Sequence, residues 1–171
     1  MIGSSGALGS DLTSLGTFQQ WSHFLPFGDP ASGRVDWQHS YRASTANVKD
    51  ASVPSDNRLK AGGEFSVRGY PTNSLGPLDD SGEALGGEVL LIANEELHIR
   101  LGAGFSSLLF CDAGNVWATL NDVGWQFSTS CGLGFRWFSP FGPLRLDWAI
   151  PLNRRPGDPS STLYFGFGSV F

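Results

Sequence analysis

Charge is scarce in this chain. Asp, Glu, Lys and Arg make up 16% of its 171 residues, against roughly 25% in ordinary soluble domains. The eleven Lys and Arg form no run, and the net charge is −5, so nucleic acid is not an expected partner. Cysteine is scarcer still. Cys111 and Cys131 are the only two, with no CxxC and no Cys/His cluster; no metal site and no cofactor is expected. Long apolar runs are missing as well. No stretch approaches the roughly 18 residues of a membrane helix, which excludes a helical membrane protein. The first 16 residues carry neither the basic nor the apolar segment of a signal peptide. The length suits one domain.

Glycine and aromatics are plentiful: 23 Gly, 13 Phe and 6 Trp. Abundant glycine, little charge and no long apolar run point to an all-β protein. If such a chain lies in a membrane, it must be a barrel, because only a closed sheet satisfies its own backbone there. Alternation of period two is the strongest signal. From Glu88 to Leu101, Leu90, Ile92, Asn94, Glu96, His98 and Arg100 share one face. Val89, Leu91, Ala93, Leu97, Ile99 and Leu101 share the other, with Glu95 as its one polar member. From Gln126 to Phe138, Phe127, Cys131, Leu133, Phe135 and Trp137 oppose Ser128, Ser130, Gly132, Gly134 and Arg136. Leu144, Leu146, Trp148 and Ile150 alternate with Arg145 and Asp147, and Leu163, Phe165 and Phe167 with Tyr164, Gly166 and Gly168. Further strands are expected over about Thr17–Pro26, Arg34–Arg42 and Gly104–Trp117. A soluble sandwich also alternates. Here, however, one face carries Trp, Phe and Leu while the other carries charges with little bulk, the pattern of a greasy wall around a wet lumen. Trp117, Trp125, Trp137 and Trp148 fall near strand ends, where interfacial girdles form.

The connections are unequal. Pro26–Gly33, Leu101–Gly104 and Ser139–Gly142 are short, with Gly or Pro supplying turn geometry. The stretch from about Ala43 to Gly87 is long and polar, and a structureless connection of that length is usually functional or disordered. Barrels place their long loops on the extracellular side. If the 118–124 connection is centred near Asn121, Cys111 and Cys131 fall opposite each other on the apolar face. They then stand either as two small wall residues, the simpler reading, or as a cross-strand disulfide.

Four segments carry a resemblance. Gly62-Gly63-Glu64-Phe65-Ser66-Val67-Arg68-Gly69-Tyr70 resembles the GG-x-x-S-V-R-G-Y/F loop motif of the BamA/TamA family of outer-membrane assembly factors. Phe110-Cys111-Asp112-Ala113-Gly114-Asn115-Val116-Trp117 is similar to its F-x-D-x-G-x-x-W segment. Gly132 to Asp147 is similar to its G-x-G-x-R-W-x-S-P-x-G-P-[LI]-x-L-D segment. The ending Phe165-Gly166-Phe167-Gly168-Ser169-Val170-Phe171 resembles the terminal β-signal read by assembly machinery. All four stand in family order.

The resemblance implies an antiparallel transmembrane β-barrel meander. Residues 1–171 would form the carboxy-terminal half of a sixteen-stranded barrel, about seven strands of it, with the long loop at about 43–87 carrying the VRGY motif. It implies a non-enzymatic function in outer-membrane protein insertion, assembly or translocation. The alternatives are a two-partner secretion transporter pore and a truncated, non-functional fragment. Membrane lipid and client outer-membrane proteins are the implied partners. Accessory assembly subunits would bind through POTRA domains, which these residues do not include, so the chain reads as a piece of a longer protein. The expected place is the bacterial outer membrane, before that of mitochondria or plastids. The subfamily stays open.

The resemblance also implies a site. Arg68, with Gly69 and Tyr70, would latch the loop into the lumen. Asp112 would be its main acceptor and Glu96 a second. The turn at Leu101–Gly104 puts Glu96 opposite about Phe110, one diagonal step from Asp112. Two acids so close could share proton work as in glycosidases, but no sugar platform accompanies them. Arg136, Arg145 and Asp147 are read as further lumen charges. Phe165, Phe167, Gly168 and Phe171 are read as the terminal signal, and His23, His39 and His98 as ordinary surface or lumen residues.

Overall fold

The computed structural model describes residues 14–27, 35–48 and 53–168. Seven strands form one sheet: β1 (Ser14–Phe27), β2 (Val35–Val48), β3 (Val89–Gly102), β4 (Phe105–Trp117), β5 (Ser128–Ser139), β6 (Gly142–Pro151) and β7 (Thr162–Phe167). They follow one another in chain order, each antiparallel to the last. This is the expected all-β meander. Among the described residues it remains an open sheet, with β1 and β7 as its edges.

Period two sorts the side chains as the sequence suggests. Trp21, Trp37, Leu109, Leu133, Trp148, Leu163 and Phe165 stand exposed on one face. An apolar surface of that extent on one sheet is a surface meant for lipid or protein, not water. A polar cluster interrupts it. Glu95 receives hydrogen bonds from Trp37 Nε1 (2.8 Å) and Tyr41 Oη (2.9 Å). His39 lies beside it, with His23 3.2 Å beyond. Those two histidines thus meet across β1 and β2 on the outer face, whereas His98 points inward.

The long connection starts later than the sequence suggests. The expected loop begins at about Ala43, but β2 continues to Val48. Ala43 pairs with both Gln19 and Leu91, and Thr45 with both Thr17 and Val89. In a strand paired on both edges, the ladder outweighs the weak strand preference of small polar residues. The connection is also not structureless. It carries a short 3₁₀ turn at Ser55–Asn57 and isolated bridges Leu59–Gly87, Ala61–Leu75 and Leu78–Ala84. Its Ala61, Val67, Tyr70 and Leu75 pack with Leu90, Ile92 and Val116 of the inner face into one buried cluster. The loop therefore supplies the core that an open, water-facing sheet would lack.

Two expectations fall outside the described residues: the turn between β1 and β2, and the last residue of the terminal signal, Phe171. Within the described residues the last strand ends at Phe167.

Cys111 and Cys131 face each other in the β4–β5 register and are joined by a disulfide. This corrects the simpler reading of two free wall residues: the register brings the pair into bonding reach, which spacing alone left open. Denatured, unreduced protein should therefore show no reactive thiol to maleimide, and two after reduction. Two thiols before reduction would remove the bond.

Candidate functional site

The loop descends from the ends of β2 and β3 and lays its motif on the inner faces of β3, β4 and β6. Val67 is fully buried and Tyr70 nearly so, which fixes the depth of the turn. Arg68, between them, is 5% exposed and Asp112 2%. Its guanidinium forks onto Asp112, with Nε to Oδ2 at 2.7 Å and Nη2 to Oδ1 at 2.7 Å. The backbone N–H of Arg68 donates to the same Oδ2 at 3.1 Å. Nη2 also reaches Glu96 Oε1 at 2.8 Å, and Nη1 lies 3.7 Å from Asp147. Two parallel charge-assisted bonds to one carboxylate form the strongest neutralising arrangement open to arginine.

Neighbours fix both partners. Phe110 lies beneath the guanidinium, its ring centroid 3.6 Å from Cζ. Asn94 donates to Asp112 Oδ1 (2.8 Å) and to the loop carbonyl of Ser66 (2.8 Å), tying wall and loop together. His98 Nε2 sits 2.8 Å from Glu96. Beside this pair, Arg136 grips Asp147 with both terminal nitrogens, and Arg145 of β6 pairs with Glu64 of the loop. Three guanidiniums thus meet four carboxylates, and Arg68, Arg136, Arg145, Glu64 and Glu96 among them line a cavity of about 470 Å³ between the loop tip and the wall. This part of the inner face is held by charge pairing, beside the apolar clusters of Val67, Leu90, Ile92 and Val116 and of Leu108, Phe110 and Ala149. Such pairs add little net stability, but removing one partner strands the other.

Arg68, Asp112, Glu96, Arg136, Arg145 and Asp147 therefore share one connected cluster. Gly69 and Tyr70 lie on its edge against β6 and β7. Phe165 and Phe167 do not join it; they point to the outer face, 69% and 61% exposed. Several participants escaped the sequence reading. Phe110 stands in phase with Leu108 and Asp112 on β4, and Tyr164 with Thr162 and Gly166 on β7. Asn94 sits in phase with Glu96. Glu64, Asn153 and Arg155 lie in connections, where no periodicity marks them.

The Omp85 superfamily domain matches residues 3–171. The outer membrane protein assembly factor BamA of Nitratidesulfovibrio vulgaris is 32% identical over 126 residues, covering 70% of this chain and 16% of that protein. BamA of Neisseria meningitidis is 29% identical over 153 residues, with 70% and 19% covered. Among solved structures, BamA from Haemophilus ducreyi lacking POTRA domains 1–3 aligns at a TM-score of 0.74 and 23% identity, over 90% of this chain and 34% of that one. The chain spans less than a fifth of the length of these curated relatives.

Proposed function

Since this chain belongs to the Omp85 superfamily, we propose that it forms the carboxy-terminal wall of an outer-membrane barrel that inserts and assembles other β-barrel proteins, with membrane lipid and unfolded client strands as its partners. The observation that carries this reading is the loop. A wall alone needs no plug, yet among the described residues the largest fully buried side chain, Tyr70, belongs to a loop held on the wall by ion pairs, side-chain hydrogen bonds and apolar packing rather than by strand pairing. Ion pairs and side-chain bonds can be exchanged without unmaking the sheet, so the loop is a part that can be set and released. In this reading Arg68 is the latch, and Asp112 and Glu96 are its receptor. Their role is conformational, not catalytic. Both carboxylates are committed to Arg68, and Glu96 also to His98, which leaves no free acid–base pair.

The second element is β7. It pairs with β6 over six residues, Leu144–Ala149, and has no partner on its other edge among the described residues. Gly166 gives that strand no side chain to pack. An edge of this kind is a template for another strand. Accessory subunits would engage segments outside these residues.

The test uses the full-length protein in lipid vesicles. It should speed insertion of an unfolded client barrel, read as protease-protected folded client. A single cysteine at Gly166 should crosslink to a stalled client strand or to the first strand of the same barrel. The native cysteines do not interfere, being bonded to each other. No acceleration, together with no adduct to either strand, would overturn the proposal.

A further inference from the structure

The loop grips more than its receptor. The backbone N–H of Gly69 donates to Tyr164 Oη at 2.9 Å, and the carbonyl of the same residue accepts from Thr162 Oγ1 at 3.0 Å. Both partners lie on β7, two residues apart and so on the same face. Tyr164 Oη in turn lies 3.4 Å from the Tyr70 carbonyl. The grip continues into the β6–β7 connection. Tyr70 Oη is 2.7 Å from Asn153 Oδ1, and Arg155 Nη2 donates to the Ser74 carbonyl at 2.7 Å. The approach is close. Gly69 has φ +93°, and a Cβ there would stand 3.2 Å from the ring of Pro151. The peptide can lie on β6 and β7 only because residue 69 has no side chain.

Set against this, the ordinary restraint on β7 is small. Among the described residues it is the shortest strand, six residues against ten to fourteen for the others. The loop therefore supplies a second attachment on the lumen face of a strand that, among the described residues, has ladder bonds along one edge only.

We infer that Tyr164 and Thr162 are positioning residues that join the arginine loop to the last strand, so that seating of the loop and docking of the last strand are one coupled equilibrium. A strand that leaves β6 drops the Gly69 peptide, and a loop that leaves Asp112 frees β7. Coupling of this kind is reciprocal by necessity: whatever free energy the seated loop lends to β7, the docked β7 lends to the loop. The consequence at the seam rests on the proposed function above. A client strand that takes over the free edge of β7 would be felt at the latch, and release of the latch would loosen the strand that the client must meet. Neither Tyr164 nor Thr162 need touch the client.

The test measures amide hydrogen exchange in the full-length protein without any client, so its result does not depend on insertion activity. Tyr164→Phe combined with Thr162→Val keeps both shapes and removes only the two hydroxyls. Exchange across residues 66–72 should rise roughly ten-fold or more, as expected when two hydrogen bonds of ordinary strength are lost. In the reverse direction, Arg68→Lys, which loosens the latch at the other end, should raise exchange in β7. Leu163→Ala, on the outward face of the same strand, should leave the loop unchanged. Unaltered loop exchange in the double variant, or unaltered β7 exchange in Arg68→Lys, would overturn the coupling. If the coupling holds while insertion fails, the functional reading falls and this inference stands.

Discussion

Arg68→Ala should release the loop from the sheet. The substitution leaves Asp112 fully buried, still accepting from Asn94 and the backbone N–H of residue 68 but without its counter-charge. It leaves Glu96 with His98 alone. Breaking a buried pair by removing one partner costs roughly 3–5 kcal/mol, because the other charge stays in the low-dielectric site. That shifts the open fraction of the loop by roughly a hundred-fold to a few thousand-fold. Limited proteolysis of the full-length protein in detergent reads this directly, since cleavage follows the open population when reclosing is fast. Cuts within residues 53–88 should appear at protease levels that leave the wild type intact, and insertion activity should fall with them. Arg68→Lys keeps the charge but loses the fork onto Asp112 and the flat stacking on Phe110, so it should recover only part of the protection. Wild-type cleavage rates in Arg68→Ala would defeat the latch. Asp112→Asn gives a milder comparison. It keeps an acceptor for the loop and removes the charge, and should fall between wild type and Arg68→Ala.

Gly132→Ala should damage the site from the wall side, although one methyl group is all it adds. A Cβ at residue 132 would lie 2.2 Å from the carbonyl oxygen of Trp148 and 2.4 Å from Cζ of Phe110. The carbonyl belongs to the β6 backbone and can yield only if β5 and β6 spread. The ring can yield only by leaving its place under Arg68. Overpacking of this kind costs roughly 1–3 kcal/mol, and here it also withdraws the platform of the guanidinium. The expected result is a lower unfolding temperature, read from the heat-dependent mobility shift of the folded protein on gels, together with faster loop cleavage. Gly124→Ala provides the control: a Cβ there has only the Asp122 carbonyl near, at 3.9 Å, and it should change stability by less than about 0.5 kcal/mol. Phe110→Leu removes the ring that blocks the new methyl, so the double variant should lose less than the two single losses combined. Full additivity, or an unchanged unfolding temperature in Gly132→Ala, would show that the close approach is not a constraint.

The alternation determined most of the architecture. A period of two states which residues share a face whatever the strands pair with, because successive side chains on a strand point to opposite sides. Hence the lumen set of Glu96, Asp112, Arg136, Arg145 and Asp147 was legible from spacing. A short turn at Leu101–Gly104 also brought Glu96 opposite Phe110, as the register has it. The end of β2 was not legible. Ala43 to Val48 is mostly small and polar, and pairing with β1 throughout, and with β3 as far as Thr45, makes it strand. The disulfide was legible as an alternative and no further, since a one-residue change in the 118–124 connection would have carried Cys131 to the opposite face. That the loop enters the lumen at Arg68, Gly69 and Tyr70 followed from the resemblance, but its packing there was not legible from periodicity. No periodicity runs through residues 53–88, so nothing in their order states that Val67 and Tyr70 are buried or that Gly69 meets Tyr164. Such contacts join residues about 95 positions apart, and they exist because the curved sheet presents β3, β4, β6 and β7 to one point at once. The sequence by itself therefore determined the two faces and their chemistry. The resemblance named Asp112 and Glu96 as partners of Arg68, and tertiary structure decided the remaining pairs, Arg136 with Asp147 and Arg145 with Glu64, because a local repeat can state direction but cannot state distance across a sheet.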